Sequence, residues 1–253
     1  MGKRELARPP RVYVPDLAEY RGSSEENVIL LRREERDHVR SRRLRDGDDV
    51  VALDGRGLRL RAKLSRGASA LVLLPFEENS FSSSSLLPGE TANRVVVALA
   101  CAEPARIEWA VEKGTECGAA GFALLACERS QKAHVAALSS SARLERLRRI
   151  AIEAVKQCDR TIVPFVEGPK SPEEFLRGLR GETLLVADPT GVSIASFAPG
   201  AAATLAIGPE GGFAPAEVSL FAEKSAVFLF LGPRILRLET AVVVALAKLV
   251  DPA

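Results

Sequence analysis

Two glycine- and proline-containing motifs near the C-terminus have the composition of ligand-binding loops. The first is "LAIGPEGGF", residues 205–213, and the second is "LGPRILRLETA", residues 231–241. Each places an apolar run directly before a Gly-Pro pair, which predicts a buried strand that ends in a sharp, exposed turn. Glycine leaves peptide N–H and C=O groups uncovered, and proline fixes the backbone. Such loops could bind a flat, polar ligand through backbone atoms.

The pair of motifs resembles the bacterial 16S ribosomal RNA uracil-N3 methyltransferases, a family within the knotted SPOUT class of S-adenosylmethionine enzymes. A lone Gly-Pro-Glu-Gly-Gly would recur by chance in unrelated turns, so the two motifs together carry the specificity. Further similarity extends over nearly the whole chain and lies in "RVYV" (11–14), "GDDVVALDGRG" (47–57), "EKGTECGAAGFALLACERS" (112–130) and "EAVKQCDRTIVP" (153–164).

The resemblance implies a bent S-adenosyl-L-methionine molecule in a C-terminal trefoil knot, with its adenine held by backbone groups. Three segments of this chain match the loops that hold it, at residues 187–191, 207–212 and 231–236. The predicted cofactor-binding residues are Ala187, Ile207, Gly208, Pro209, Gly211, Gly212, Leu231, Gly232, Ile235 and Leu236. No metal is expected in this chemistry.

The implied reaction moves a methyl group from a sulfonium to a ring nitrogen, so the enzyme chiefly positions donor and acceptor. Uracil N3 carries a proton at neutral pH, and the site must remove or share that proton. We predict Glu210 or Glu239 as the proton acceptor and Arg237 as the group that stabilises negative charge on the uracil oxygens. Two structural alternatives stay open: Glu239 could be a helix N-terminal charge, and Glu210 a surface turn residue.

Positive charge is concentrated in the N-terminal quarter of the chain. Residues 1–67 hold 17 Lys and Arg against 12 Asp and Glu, whereas the remainder holds 18 against 21. Five arginines lie between Arg36 and Arg45, a density that suits phosphate contacts but also a solvated helix face. The resemblance favours RNA. The predicted RNA-binding residues are Arg11, Arg40, Arg42, Arg43, Arg129 and Arg160.

A change of pattern near residue 78 predicts two domains. Residues 78–93 contain four consecutive serines and predict a linker. In residues 1–77, short alternating segments at 49–53, 58–64 and 70–75 predict a small antiparallel β-barrel, and the resemblance implies a PUA-like RNA-binding domain there. In residues 94–253, apolar runs alternate with helical patterns, which predicts an α/β domain with a mostly parallel sheet.

Three helices are predicted in the second domain from apolar stripes and start signals, at residues 105–117, 142–158 and 239–250. Ser171, Pro172 and Glu174 give the capping-box signal of another helix.

The apolar runs are too short to span a bilayer. The four cysteines fit neither a Cys-x-x-Cys metal pair nor a disulfide framework, and the charged N-terminus does not look like a signal peptide. We therefore expect a cytoplasmic protein.

The expected partners are the small ribosomal subunit with its 16S rRNA and a second copy of the chain, because SPOUT enzymes assemble the cofactor site beside a subunit interface. Two alternatives remain: a SPOUT enzyme for another RNA position, such as a ribose 2′-hydroxyl, and a non-catalytic RNA-binding assembly protein. A nucleotide-hydrolysing or dinucleotide-binding protein is disfavoured because neither glycine-rich fingerprint is present. The chain departs from the family pattern at Cys101–Glu103, Ser41–Arg43 and Leu238.

Overall fold

The computed structural model describes residues 8–20, 28–74, 87, 89–198 and 200–250. The chain forms two compact units. The first contains residues up to 90 together with residues 155–163, and the second contains residues 91–154 and 164 onward. Much of the predicted linker, residues 78–86 and 88, lies outside the described residues. The participation of residues 155–163 in the first unit was not part of the sequence prediction.

The first unit is a curled half-barrel sheet with one helix. Its elements are β1 (Arg11–Tyr13), β2 (Val28–Leu30), α1 (Arg33–Ser41), β3 (Asp49–Leu53), β4 (Arg59–Ser65) and β5 (Ala70–Leu73), with a 3₁₀ turn at Leu17–Tyr20. Buried and less buried residues alternate along β4, as in a strand with one face on the core. Leu17, Val39 and Leu71 are fully buried and close that core.

The strand order of this sheet is β1-β3-β4-β5-β2. The pairs β3–β4, β4–β5 and β2–β5 are antiparallel, as predicted, whereas β1 runs parallel to β3. The sequence prediction of an antiparallel barrel is therefore corrected at β1. The strand "RVY" is three residues long and carries too little alternation to reveal its direction.

The second unit alternates strands and helices. Its elements are β6 (Arg94–Ala100), α2 (Pro104–Glu116), β7 (Gly121–Leu125), α3 (Lys132–Leu138), α4 (Ser141–Cys158), β8 (Phe165–Lys170), α5 (Pro172–Arg177), β9 (Thr183–Ser193), β10 (Ala202–Ile207), α6 (Pro215–Glu223), β11 (Val227–Phe230) and α7 (Leu238–Leu249). The last four residues of α4 belong to the first unit. The predicted helices correspond to α2, α4 and α7 within one residue at each end. The capping box of α5 is present at Ser171 and Glu174.

Six parallel strands form the sheet of this unit, in the order β11-β9-β10-β6-β7-β8. All five residues of β7 are buried, as expected for a parallel strand covered on both faces. Helix α7 packs against α2. Because parallel strands end at one edge of a sheet, the segments that follow these strands are brought to that edge.

A three-residue ion cluster joins α2 to α4 inside the second unit. Glu108 accepts hydrogen bonds from Arg146 at 2.6 and 2.8 Å and also pairs with Arg143. The Glu108 side chain is only 17% exposed. The hydrogen bonds from Arg146, and secondarily from Arg143, hold the pKa of this carboxyl below its usual value.

We expect Glu108→Gln to lower the free energy of unfolding at pH 7 by about 1 kcal/mol. A lowered carboxyl pKa stabilises the folded state above the usual glutamate pKa of about 4.3, and this contribution is lost as the pH falls through the folded-state value. Denaturant unfolding at several pH values should therefore show the wild-type and variant stabilities converging in acid. A difference that stays constant with pH would contradict the assignment.

None of the described helices has the length and hydropathy needed to cross a membrane. Within the same described residues, no three His, Cys, Asp or Glu side chains are grouped so that they could hold a metal ion.

Candidate functional site

The three predicted cofactor segments meet on neighbouring strands of the parallel sheet. Residues 207–212 begin at the last residue of β10, and residues 231–236 directly follow β11. Strand β9, which contains residues 187–191, lies between β10 and β11. All three strands are parallel, so segments separated by up to about 50 residues in sequence reach the same edge of the sheet.

The 187–191 segment is a bulge in β9. Val186 pairs with Phe228 of β11, and Val192 pairs with the next residue, Leu229. Five residues of β9 are thus inserted between consecutive residues of its neighbour. Bulges redirect backbone groups out of a ladder and are common beside active sites. The predicted loop is part of a strand, but its peptide groups are released from regular pairing with β11.

Glycine is required at three places in this region. A Cβ atom on Gly191 would lie 2.4 Å from the backbone carbonyl carbon of Phe228, so only glycine allows this approach of β9 to β11. Gly212 and Gly232 have φ angles of 71° and 132°, in the region that favours glycine. The backbone therefore approaches its neighbours, and any ligand, without intervening side chains.

The loop of residues 208–213 is anchored at its C-terminal end. The ring of Phe213 packs edge-on against that of Phe221, with centroids 4.8 Å apart. Glu217 is 6% exposed and accepts hydrogen bonds from the Ala214 N–H at 2.7 Å and the Glu128 N–H at 2.8 Å. This buried carboxylate therefore ties the residues after β10 to those after β7.

Arg129 holds the same loop from the β7 side. Its guanidinium donates to the Gly211 carbonyl at 2.6 Å and, more weakly, to the Phe213 carbonyl at 3.4 Å. The sequence prediction assigned Arg129 to RNA. In the structure its guanidinium lies on the backbone of the glycine-rich loop while the residue remains exposed, so the RNA assignment stays a prediction.

The two candidate proton acceptors differ in their surroundings. Glu210 has a side chain that is 61% exposed and is paired with Arg106 of α2. Glu239 lies in the first turn of α7, and its Oε2 atom is buried with no hydrogen-bond partner among the described residues. A buried oxygen without a partner is costly, and a catalytic role is one of the few explanations for such an atom in a native structure.

Arg237 precedes Glu239 by two residues and is the N-cap residue of α7. Its side chain is exposed and makes no capping hydrogen bond. A guanidinium at this position can donate to oxygen atoms of a ligand. The structure thus brings Arg237 and Glu239 to one helix start, directly after the second Gly-Pro loop.

Cys101 follows β6 at the same edge of the sheet, since Leu99 of β6 is in register with Ile207 of β10. The side chain is 2% exposed, and burial raises the pKa of Cys101 to about 12. At neutral pH this residue is a thiol rather than a thiolate, so it is a poor nucleophile. It contributes packing beside the loops.

The predicted RNA-binding arginines of the first unit have different environments. Arg40, Arg42 and Arg43 are exposed, and Arg40 lies 3.7 Å from Asp37. Arg11 is largely buried, pairs with Asp159 and donates to the Lys156 carbonyl at 2.8 Å. Arg160 is 4% exposed and pairs with Glu90 at 2.9 Å. A buried, paired guanidinium is not accessible to RNA, so Arg160 is not carried into the proposed contacts.

Comparisons with known proteins identify the family. The profile described as "RNA methyltransferase domain" matches residues 89–250. Ribosomal RNA small subunit methyltransferase E of Synechocystis is 34% identical over 218 residues, covering 82% of this chain and 67% of that protein. The chain belongs to the ribosomal RNA small subunit methyltransferase E family. The Bacillus subtilis member is 29% identical over 82% of this chain and 83% of its own length.

Solved structures of related proteins share the fold over almost the full chain. The methyltransferase E of Neisseria gonorrhoeae, bound to S-adenosyl methionine, superposes with a TM-score of 0.80 at 23% identity over 95% of this chain and 96% of that one. A putative methyltransferase of Legionella pneumophila, in complex with the same cofactor, gives a TM-score of 0.77 at 25% identity over 94% and 96%. These structures confirm the predicted combination of an N-terminal β domain and a C-terminal SPOUT domain.

Sequence reasoning did not find Glu217 or the pairing of Arg106 with Glu210. Glu217 is the third residue of α6, three positions after the N-cap residue Ala214, where a glutamate commonly caps the preceding backbone. The sequence of this chain therefore contains a local signal for the Glu217 contact. The Arg106 contact joins residues 104 positions apart and has no local signal.

Proposed function

We propose that this protein transfers a methyl group from S-adenosyl-L-methionine to N3 of a specific uridine in the 16S rRNA of the small ribosomal subunit, in its decoding region. The observation that carries the proposal is the meeting of three glycine-containing segments on adjacent parallel strands, in a chain of the methyltransferase E family. Relatives of that family are named as small subunit ribosomal RNA methyltransferases.

The residues present fit the cofactor. Gly208 and Gly232 leave peptide groups uncovered by side chains and suited to adenine, and the 187–191 bulge frees further peptide groups beside them. When bound, S-adenosyl-L-methionine supplies an electrophilic methyl group on its sulfonium. The chain's own work is to hold the loops in place and to prepare the nitrogen that attacks.

Glu239 is the proposed proton acceptor. Its Oε2 atom is buried without a partner in the described structure, so it is not satisfied by the protein itself. Glu210 is already paired with Arg106, which occupies one of its oxygens. The exposed guanidinium of Arg237 would stabilise the negative charge that develops on the uracil oxygens as N3 loses its proton.

The proposal includes RNA contacts from the first unit and a homodimer. Arg40, Arg42 and Arg43 are exposed and can reach phosphates. The apolar side chain of Ile235 is fully exposed in the second Gly-Pro loop, and Trp109 on α2 is 43% exposed. A second copy of the chain packed against these side chains would remove them from water. Light scattering of the purified protein measures its molar mass and so tests for the dimer.

The experiment that tests the proposed function is methyl transfer from labelled S-adenosylmethionine to small ribosomal subunits that lack their native modifications. Nucleoside analysis of the digested RNA should show new 3-methyluridine. A different methylated nucleoside, such as a ribose 2′-O-methyl product, would overturn the N3 assignment. Absence of cofactor binding would favour a non-catalytic assembly protein.

We expect Arg129→Ala to raise the dissociation constant for S-adenosylmethionine by about tenfold, since hydrogen bonds to charged donors contribute roughly 1.5–3 kcal/mol. The physical reason is that the Gly211 carbonyl loses its guanidinium donor and the loop becomes less ordered. Isothermal titration of the cofactor measures the effect without RNA. Arg180→Ala, at an exposed arginine of the same unit, is the matched control. A loss confined to RNA binding would return Arg129 to the role predicted from the sequence.

A further inference from the structure

A basic pocket lies in the first unit, and none of its lining residues belongs to the cofactor loops. It has a volume of about 250 Å³ and is lined by Arg8, Pro9, Pro10, Arg11, His38, Arg42, Lys156 and Gln157. Its walls are the residues that lead into β1, the end of α1 and the last turn of α4. A water molecule occupies roughly 30 Å³ of liquid, so the pocket has room for a larger group such as a phosphodiester.

The charge of the pocket favours an anion. Four cationic side chains line it, and no acidic side chain is among the lining residues. Two carboxylates outside the lining pair with these cations: Lys156 donates to Glu35 at 2.9 Å, and Asp159 pairs with Arg11. The pocket therefore keeps an excess of two positive charges. The paired cations are fixed in position by their carboxylates.

Arg42 and Arg8 provide the charge that is available to a ligand. Arg42 is exposed and forms no ion pair with any described residue. The Arg8 side chain is 77% exposed, and its guanidinium lies 3.9 Å from Asp159. An arginine fork donates to two oxygens of a phosphate at once, so these two side chains suit a tetrahedral oxyanion.

We infer that this pocket binds one backbone phosphate of the RNA substrate. The inference rests on the proposed function, because it takes RNA as the source of the phosphate. Arg40 and Arg43 are also exposed and lie on either side of Arg42 in the sequence. A run of exposed arginines is expected of a surface that follows a polyanion rather than of a pocket that encloses a single free ion. The contact would fix the position of the RNA without reading its sequence.

The test is the salt dependence of RNA binding by Arg42→Gln. Each phosphate neutralised adds about 0.7–0.9 to the slope of log K against log salt concentration, so the variant should lose about that amount. Arg36→Gln is the matched control, since Arg36 is exposed on α1, the helix that Arg42 follows directly, but does not line the pocket. The probe is a transcript of small-subunit rRNA, titrated without cofactor. Arg42→Lys, which keeps the charge, should retain most of the slope.

Several outcomes would overturn the inference. Equal slope losses for Arg42→Gln and Arg36→Gln would show a general electrostatic effect, and an unchanged slope for Arg42→Gln would show no contact. If Arg42→Gln lost the binding of inorganic phosphate but kept the wild-type salt slope for RNA binding, the pocket would be assigned to a free anion. RNA binding is measured without turnover, so it tests the pocket alone. The methyl-transfer assay on the same wild-type preparation tests the proposed function separately.

Discussion

Glu239→Gln is expected to lower kcat by about 10²- to 10⁴-fold, the contribution typical of a positioned general base. The substitution keeps the shape of the side chain but removes its capacity to take the N3 proton. Binding of S-adenosylmethionine should change little, because the proposed cofactor contacts are backbone groups. Single-turnover methyl transfer, with cofactor affinity measured separately, resolves the two effects.

The control for this prediction is Glu210→Gln, the other candidate acceptor. Glu210 is exposed and paired with Arg106, so its loss should affect the loop more than the chemistry. A larger fall in kcat for Glu210→Gln than for Glu239→Gln would reverse the assignment.

Most elements of the second unit could be predicted because their signals are local. The apolar residues of α4 recur at helical spacing within that one helix. The capping residues of α5, Ser171 and Glu174, are three positions apart. The helices α3 and α6 and the strand β8 were missed. "FVEGPK" carries four polar or turn-forming residues out of six, and α3 has only one buried residue, so neither shows a clear period.

The candidate site was predicted in part. The two Gly-Pro motifs stand out in the sequence because exposed, sharply turning backbone requires glycine and proline, whereas the segment 187–191 was assigned from the family resemblance. The partners of the polar residues were not. Arg129 with Gly211, Arg106 with Glu210 and Arg160 with Glu90 join residues that are 70 to 104 positions apart, and nothing local specifies such pairs. Of the six arginines assigned to RNA, four have side chains that make ion pairs or hydrogen bonds with residues that the structure describes: Arg11, Arg40, Arg129 and Arg160.

Lys156→Met is expected to destabilise the first unit by about 3–5 kcal/mol, the cost of leaving one partner of a buried ion pair uncompensated. The side chains of Lys156 and Glu35 are 2% and 6% exposed, and Nζ lies 2.9 Å from Oε1. Oε2 of Glu35 also accepts the Tyr13 N–H at 3.1 Å. The pair therefore links the end of α4 to α1 and β1, and its loss would leave the Glu35 carboxylate buried without its ammonium.

The double variant Glu35→Leu/Lys156→Met separates pairing from packing. Replacing a buried pair by apolar side chains of similar size is often neutral or stabilising, so the double variant should recover the loss except for the cost of the Tyr13 N–H, which loses its Glu35 acceptor. Denaturant unfolding can be followed by circular dichroism and by the emission of Trp109, the single tryptophan, which lies in the second unit. For Lys156→Met, the transition followed by circular dichroism should begin at a lower denaturant concentration than the transition followed by tryptophan emission. A double variant as unstable as Lys156→Met would contradict this account, because the cost would then arise from packing around the side chains and not from an unpaired charge.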